Sequence, residues 1–251
     1  MNEELKQAIV QKLIALADDE LILGHRDSEW TGHAPILEED IAFANIAQDE
    51  IGHAVVWYSL VQELTGQKPD QLAFFRDAPD FRNVQMVELP KEDWAFTMMR
   101  QYLFDTAELI WLDSLAQSSY KPVADAANKM RNEEIYHYRH TSTWIKRLGL
   151  GTEESHRRIQ SALDALWGYA LQLFVPLPAE STLVTAGVVP DPAEVQAQWE
   201  AQVRPFLDAA NLQIPDITTP VTTSRTNHTT HLVDLLAEMQ SVARLEPEAD
   251  W

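Results

Sequence analysis

Glu50 and His53, and again Glu134 and His137, stand three residues apart in segments that read as helix. Positions i and i+3 share a helical face, so each pair can offer a carboxylate oxygen and an imidazole nitrogen to one ion. The chain holds 21 Glu and 8 His in 251 residues; random placement would give roughly 0.7 Glu-x-x-His pairs. Three occur. The third, Glu153 with His156, follows Gly149-Leu150-Gly151 and Thr152, and it reads as a helix start where acids favour the dipole.

The first two pairs differ from the third in the face they occupy. Phe43, Ile46, Glu50, His53, Trp57, Leu60 and Leu64 fall on one stripe at three- and four-residue steps, and Val123, Ala127, Met130, Glu134, His137, Thr141, Trp144 and Leu148 form another. Both pairs are therefore expected on buried faces. A carboxylate in such a stripe costs several kcal/mol unless it is paired or bound to metal.

Two further acids share this setting: Glu20 on the stripe Leu13, Leu16, Glu20, Leu23, and Glu108 on Met98, Gln101, Phe104, Glu108, Trp111, Leu115. One Glu from each of two helices plus Glu-x-x-His from each of two more is the ligand pattern of carboxylate-bridged di-iron bundles. Glu20, Glu50, His53, Glu108, Glu134 and His137 supply it in the order Glu, Glu-x-x-His, Glu, Glu-x-x-His. This donor set suits iron or manganese, and two such ions can bridge and activate dioxygen. In that arrangement Glu50 and Glu134 bridge, Glu20 and Glu108 are terminal, and each ion takes one imidazole. Asp49, Glu133 and Asp105 are candidates to orient the imidazoles. The other reading is a bundle whose buried Glu and His hydrogen-bond one another without metal.

Four long helices must position these residues. The periodicity and punctuation predict helices over about 4–25, 36–65, 92–118 and 122–148, with Pro35 and Pro122 near two starts and Gly24, Gly66 and Gly149 near three ends. About 25 residues containing Pro69, Pro79 and Pro90 join the second helix to the third, a length that suits the long crossover of ferritin-like bundles. A fifth helix is expected over 153–174, stopped by Val175-Pro176-Leu177-Pro178. Beyond it the pattern gives a short helix near 192–209, a polar loop at 210–226 and a last helix near 229–244, with no alternation long enough for a sheet. The expectation is an all-α protein: a single ferritin-like domain over 1–251, with a four-helix bundle core at about 4–148 and an additional helix and C-terminal extension at about 152–251.

Composition excludes other classes. The 19 basic and 39 acidic residues leave a net charge of −20, unsuited to nonspecific contact with nucleic acid or anionic membranes. With no Cys, disulfides, thiolate zinc sites, iron–sulfur clusters and cysteine nucleophiles are ruled out. No Gly-rich phosphate loop or Gly-x-Ser-x-Gly elbow is present. No apolar run approaches membrane-spanning length, and the N-terminal residues do not read as a secretory signal, so a cytoplasmic protein is expected. Lys146-Arg147 and Arg157-Arg158 are read as helix-end decoration, and His25 and His33 as linker residues.

The stretch Leu21-Ile22-Leu23-Gly24-His25-Arg26-Asp27-Ser28-Glu29-Trp30-Thr31-Gly32-His33-Ala34-Pro35-Ile36-Leu37-Glu38-Glu39-Asp40-Ile41-Ala42 resembles the signature of the C-type component family of bacterial phenylacetyl-CoA oxygenases. The likeness continues through Arg100-Gln101-Tyr102, Trp144 to Gly149, Gly151-Thr152 and Leu236-Ala237-Glu238-Met239-Gln240. It implies a ferritin-like fold and a place in a multicomponent monooxygenase that makes the ring 1,2-epoxide of phenylacetyl-CoA with dioxygen and NADPH. In such an assembly the A-type component is the di-iron catalyst, a reductase supplies electrons, and the C-type component is a structural partner that has lost ligands. A hetero-oligomer is implied, or a homo-oligomer when the chain is alone. This sequence departs from the family expectation, because all six ligand-type positions remain. The alternative is a chain that is itself a di-iron oxygenase or oxidase; iron storage of the ferritin kind is disfavoured by the extra helix and the long C-terminal segment.

Overall fold

The computed structural model describes residues 1–247. In chain order its helices are α1 (Glu3–Ser28), α2 (Leu37–Thr65), α3 (Pro69–Phe74), α4 (Gln85–Glu88), α5 (Trp94–Leu115), α6 (Lys121–Gly149), α7 (Glu153–Ala170), α8 (Glu180–Thr185), α9 (Pro192–Ala209), α10 (Thr230–Met239) and α11 (Ser241–Leu245). No strand occurs among the described residues. The protein is all-α: α1, α2, α5 and α6 follow the element order of a ferritin-like four-helix bundle, and further helices come after them.

Local chemistry sets most boundaries. The Asn2 side chain accepts from Leu5 N at 2.8 Å to begin α1, and Glu3 and Glu4 lie in the first turn, where the helix dipole favours them. Asp93 caps α5 through Phe96 N at 2.9 Å, which is why the helix starts at Trp94 rather than near 92. Gly66 ends α2 at φ 82°, a left-handed conformation cheap only for glycine. Thr152 and Asp191 cap α7 and α9. The expected run to 174 instead tightens into a 3-10 turn at Leu171–Phe174. The last expected helix is two helices, parted at the buried Gln240, whose amide donates to Ala73 O and Arg76 O at 3.1 and 2.9 Å.

The helices gather into two compact units. The first comprises Met1–Pro90 and the segment from Ser224 on, the second Lys91–Thr223. In the first, α1 and α2 run antiparallel: Gly24 abuts Ala47 and Ile51, while Asp18 meets Tyr58. In the second, α5 and α6 are antiparallel by the same test, with Asp105 bonded to Thr141 and Asp113 to Arg131. The α7 and α9 helices pack on α5, where the Trp199 indole donates to Leu103 O at 3.1 Å and stacks on Trp167.

The expected crossover contains α3, a 3-10 turn at Ala78–Asp80 and α4. These pieces are six residues or shorter, below the length at which a 3.6-residue period is readable. Side chains from α1 hold them, as the acids described below show.

Candidate metal centre

In the first unit α1 brings Glu20 to the face of α2 that carries Glu50 and His53. All three are buried, at 3%, 0% and 2% exposure. His53 Nδ1 lies 3.8 Å from Glu20 Oε2 and 4.0 Å from Glu50 Oε2. Donors held on one first-row ion at about 2.0–2.2 Å cannot stand more than about 4.4 Å apart, so these separations fit a shared metal.

In the second unit Glu134 and His137 are both fully buried on α6. His137 Nδ1 is 2.6 Å from Glu134 Oε1, a hydrogen bond rather than an ion-bridged spacing. Glu108 is buried on α5. Asp105, one turn before it, is fully buried and accepts from Gln101 Nε2 at 2.9 Å and Thr141 Oγ1 at 2.8 Å. A carboxylate oxygen of Asp105 and a ring nitrogen of His137 come within 4.8 Å of each other. Thr141 Oγ1 also lies 3.0 Å from His137 O, and its single proton serves one of these two acceptors at a time.

Of the three residues considered for orienting the imidazoles, Asp105 is placed beside one. Asp49 is half-buried and Glu133 exposed. The third Glu-x-x-His pair does what its position suggested. Thr152 accepts from Ser155 N at 3.2 Å, Glu153 is exposed in the first turn, and His156 Nδ1 lies 2.9 Å from Gly149 O, at the end of α6. His33 is exposed and His25 half-buried.

Sequence reasoning missed the acids next to Glu20. Asp18 is fully buried and holds the crossover: Arg76 Nη1 donates to it at 3.0 Å, Arg82 N at 2.7 Å, and the Tyr58 hydroxyl as well. The Arg76 guanidinium also lies over the Phe81 ring at 4.1 Å. Asp19 accepts from Val84 N at 2.7 Å and from Arg225 Nη1 at 2.6 Å. Burial pushes the Asp19 carboxyl above its ordinary value although Arg225 opposes it. Burial, reinforced by the charge of Asp18, likewise pushes the Tyr58 phenol well up. Glu88 of α4 is a second buried hub, accepting from Asn83 Nδ2 at 2.9 Å and Thr229 N at 2.7 Å and lying 2.6 Å from His228 Nδ1. Arg26 donates to its backbone carbonyl at 2.7 Å. The run Asp18-Asp19-Glu20 was the available signal: three consecutive acids at the middle of an apolar helix cannot all face water.

Among the described residues no helix is long and apolar enough to cross a membrane. The family model described as "Phenylacetic acid catabolic protein" matches residues 1–251. The chain is 37% identical over 240 residues to the C-type component of the 1,2-phenylacetyl-CoA epoxidase of Escherichia coli (strain K12), covering 95% of this chain and 97% of that protein. It is 25% identical over 176 residues to the A-type component of the same organism's epoxidase, covering 70% of this chain and 57% of that protein.

Proposed function

The chain belongs to the phenylacetic acid catabolic protein family, and from that membership we propose that it is the accessory component of a multicomponent phenylacetyl-CoA 1,2-epoxidase. Its partner is a catalytic A-type component. The observation that carries this reading is coverage: the likeness to a C-type component runs nearly end to end, whereas the likeness to an A-type component spans little more than half of that protein. In this proposal electrons come from NADPH through a reductase component, and the chain works in a hetero-oligomer.

We further propose that the chain keeps a di-metal site of its own, with Glu20, Glu50, His53, Glu108, Glu134 and His137 as ligands. Support comes from the ligand chemistry, its order along the chain and the burial of all six residues. Iron bound by these carboxylates and imidazoles would supply redox chemistry toward dioxygen. The chain's own part is to keep those donors dry and aimed: the apolar neighbours exclude water, and Asp105, fixed by Gln101 and Thr141, sets a carboxylate beside the His137 ring. Outer residues of this kind set the orientation of metal-binding imidazoles.

Co-expression with a matching A-type component tests the accessory role. A co-purifying complex, or a change in that component's solubility or turnover, is the expected result; neither would end the proposal. Retention of all six ligand-type residues favours a second reading, in which the chain is itself a di-iron oxygenase or oxidase. Iron-loaded chain should then consume dioxygen with a reductant and an acyl-CoA, and a rate unchanged by Glu108→Ala would rule it out.

A further inference from the structure

The outward face of α2 lacks the charges that a solvated helix of this chain otherwise carries. Leu37, Ile41, Ala44, Gln48, Gly52 and Val55 follow one another at three- and four-residue steps and form one stripe about 27 Å long. Leu37, Ile41 and Val55 are 71%, 56% and 50% exposed, and a methyl group on Gly52 would meet nothing within 4 Å. No charged side chain lies on the stripe, although 23% of the residues are charged and the net charge is −20. A helix face that meets water is ordinarily polar and charged. The other long motif-bearing helix, α6, shows that pattern at the same length of 29 residues, with Asp125, Lys129, Glu133, Arg139 and Arg147 exposed. Depletion of charge is what distinguishes the centre of a protein–protein interface from the rest of a surface.

The rim of the stripe is acidic. Glu38 and Glu63 are exposed beside it, and Asp40, whose carboxylate accepts from Gly32 N at 2.6 Å, borders it on the other side. No Lys or Arg occurs between Arg26 and Lys68. Packing this face on a second copy would therefore set acid against acid whichever way the two helices ran, and like charges brought together oppose association. Its complement is an apolar stripe flanked by Lys or Arg. We propose that the α2 face from Leu37 to Val55 docks the catalytic A-type component, which meets it with such a basic-rimmed apolar surface. This inference rests on the accessory role proposed above and adds the surface and its chemistry to it.

Binding of the full-length chain to a matching A-type component, measured by biolayer interferometry at low and high salt, tests the face without reference to catalysis. Ile41→Arg/Val55→Arg should weaken the complex at least about tenfold, because it buries unpaired guanidinium groups against a basic rim. The neutral Ile41→Gln/Val55→Gln should weaken it less. Glu38→Gln/Glu63→Gln should lower affinity at low salt, with the difference fading at high salt, and Lys129→Gln on α6 should change nothing. Circular dichroism and the thermal midpoint of each variant, matched to the wild type, separate loss of the face from loss of the fold. A complex of unchanged affinity in Ile41→Arg/Val55→Arg would overturn the docking face and leave the accessory role standing. Salt dependence unaltered by Glu38→Gln/Glu63→Gln would overturn the basic rim. A chain that dimerises alone and is made monomeric by Ile41→Arg/Val55→Arg would assign the face to a second copy instead. A folded wild type that forms no complex would overturn the accessory role itself.

Discussion

Thr141 Oγ1 donates to Asp105 Oδ2 at 2.8 Å, joining α6 to α5 inside a region where both residues are fully buried. The bond places a carboxylate next to His137 through a residue with no charge of its own. Thr141→Val keeps the shape and removes the hydroxyl, leaving the Asp105 oxygen short of a donor. Such a loss costs about 1–3 kcal/mol. The urea midpoint should fall accordingly, and Thr141→Ser should recover most of the difference; equal midpoints for Val and wild type would show that the bond carries no stability.

Asp18 and Arg76 test the hold of α1 on the crossover. Removing one partner of a buried ion pair costs about 3–5 kcal/mol, because the remaining charge is stranded. Asp18 is fully buried and the Arg76 side chain is 13% exposed, so Asp18→Ala should fall in that range. The double variant Asp18→Ala/Arg76→Met should be less destabilised than the sum of the two single changes, a coupling measurable by denaturant unfolding.

Two glycines on facing helices give opposite expectations. A methyl group on Gly24 would lie 2.9 Å from Ile51 Cγ1 and 3.0 Å from Ala47 O, whereas one on Gly52 would meet nothing within 4 Å. Gly24→Ala should therefore cost about 1–3 kcal/mol by overpacking and push apart the helices that carry Glu20 and His53. Gly52→Ala should gain up to about 1 kcal/mol from helix propensity. Thermal midpoints of the two variants decide both.

His25 supplies a pH dependence. Burial lowers its pKa from the ordinary 6.5, with Glu238 pulling the other way. The unfolded chain therefore takes up a proton near 6.5 that the folded chain resists, so this group's stability is present at higher pH and is lost as the pH falls below that value. His25→Gln should flatten the decline of the urea midpoint between about pH 7 and pH 5. A decline of unchanged slope would assign the effect elsewhere.

Most of the helical fold was legible in the sequence because its signals are local. Stripes such as Phe43 to Leu64 repeat over about six turns, and caps such as Thr152 or Gly66 act within a few residues of where they stand. The same periodicity put Glu20, Glu50, His53, Glu108, Glu134 and His137 on buried faces, and the structure buries all of them. Whether an ion joins them was not legible, since the same residue types can hydrogen-bond to one another.

The sequence by itself determined which faces are buried and which ligand types they carry, because helix period and side-chain chemistry are properties of short stretches. Only the tertiary structure decided what those acids touch. Asp18 meets Arg76 and Asp19 meets Arg225, 58 and 206 residues away, and no local pattern encodes partners at such distances. It also decided that His53 stands off from its carboxylates while His137 closes on Glu134. Both pairs have the same spacing along the chain, so spacing alone does not set the distance at which the two side chains meet.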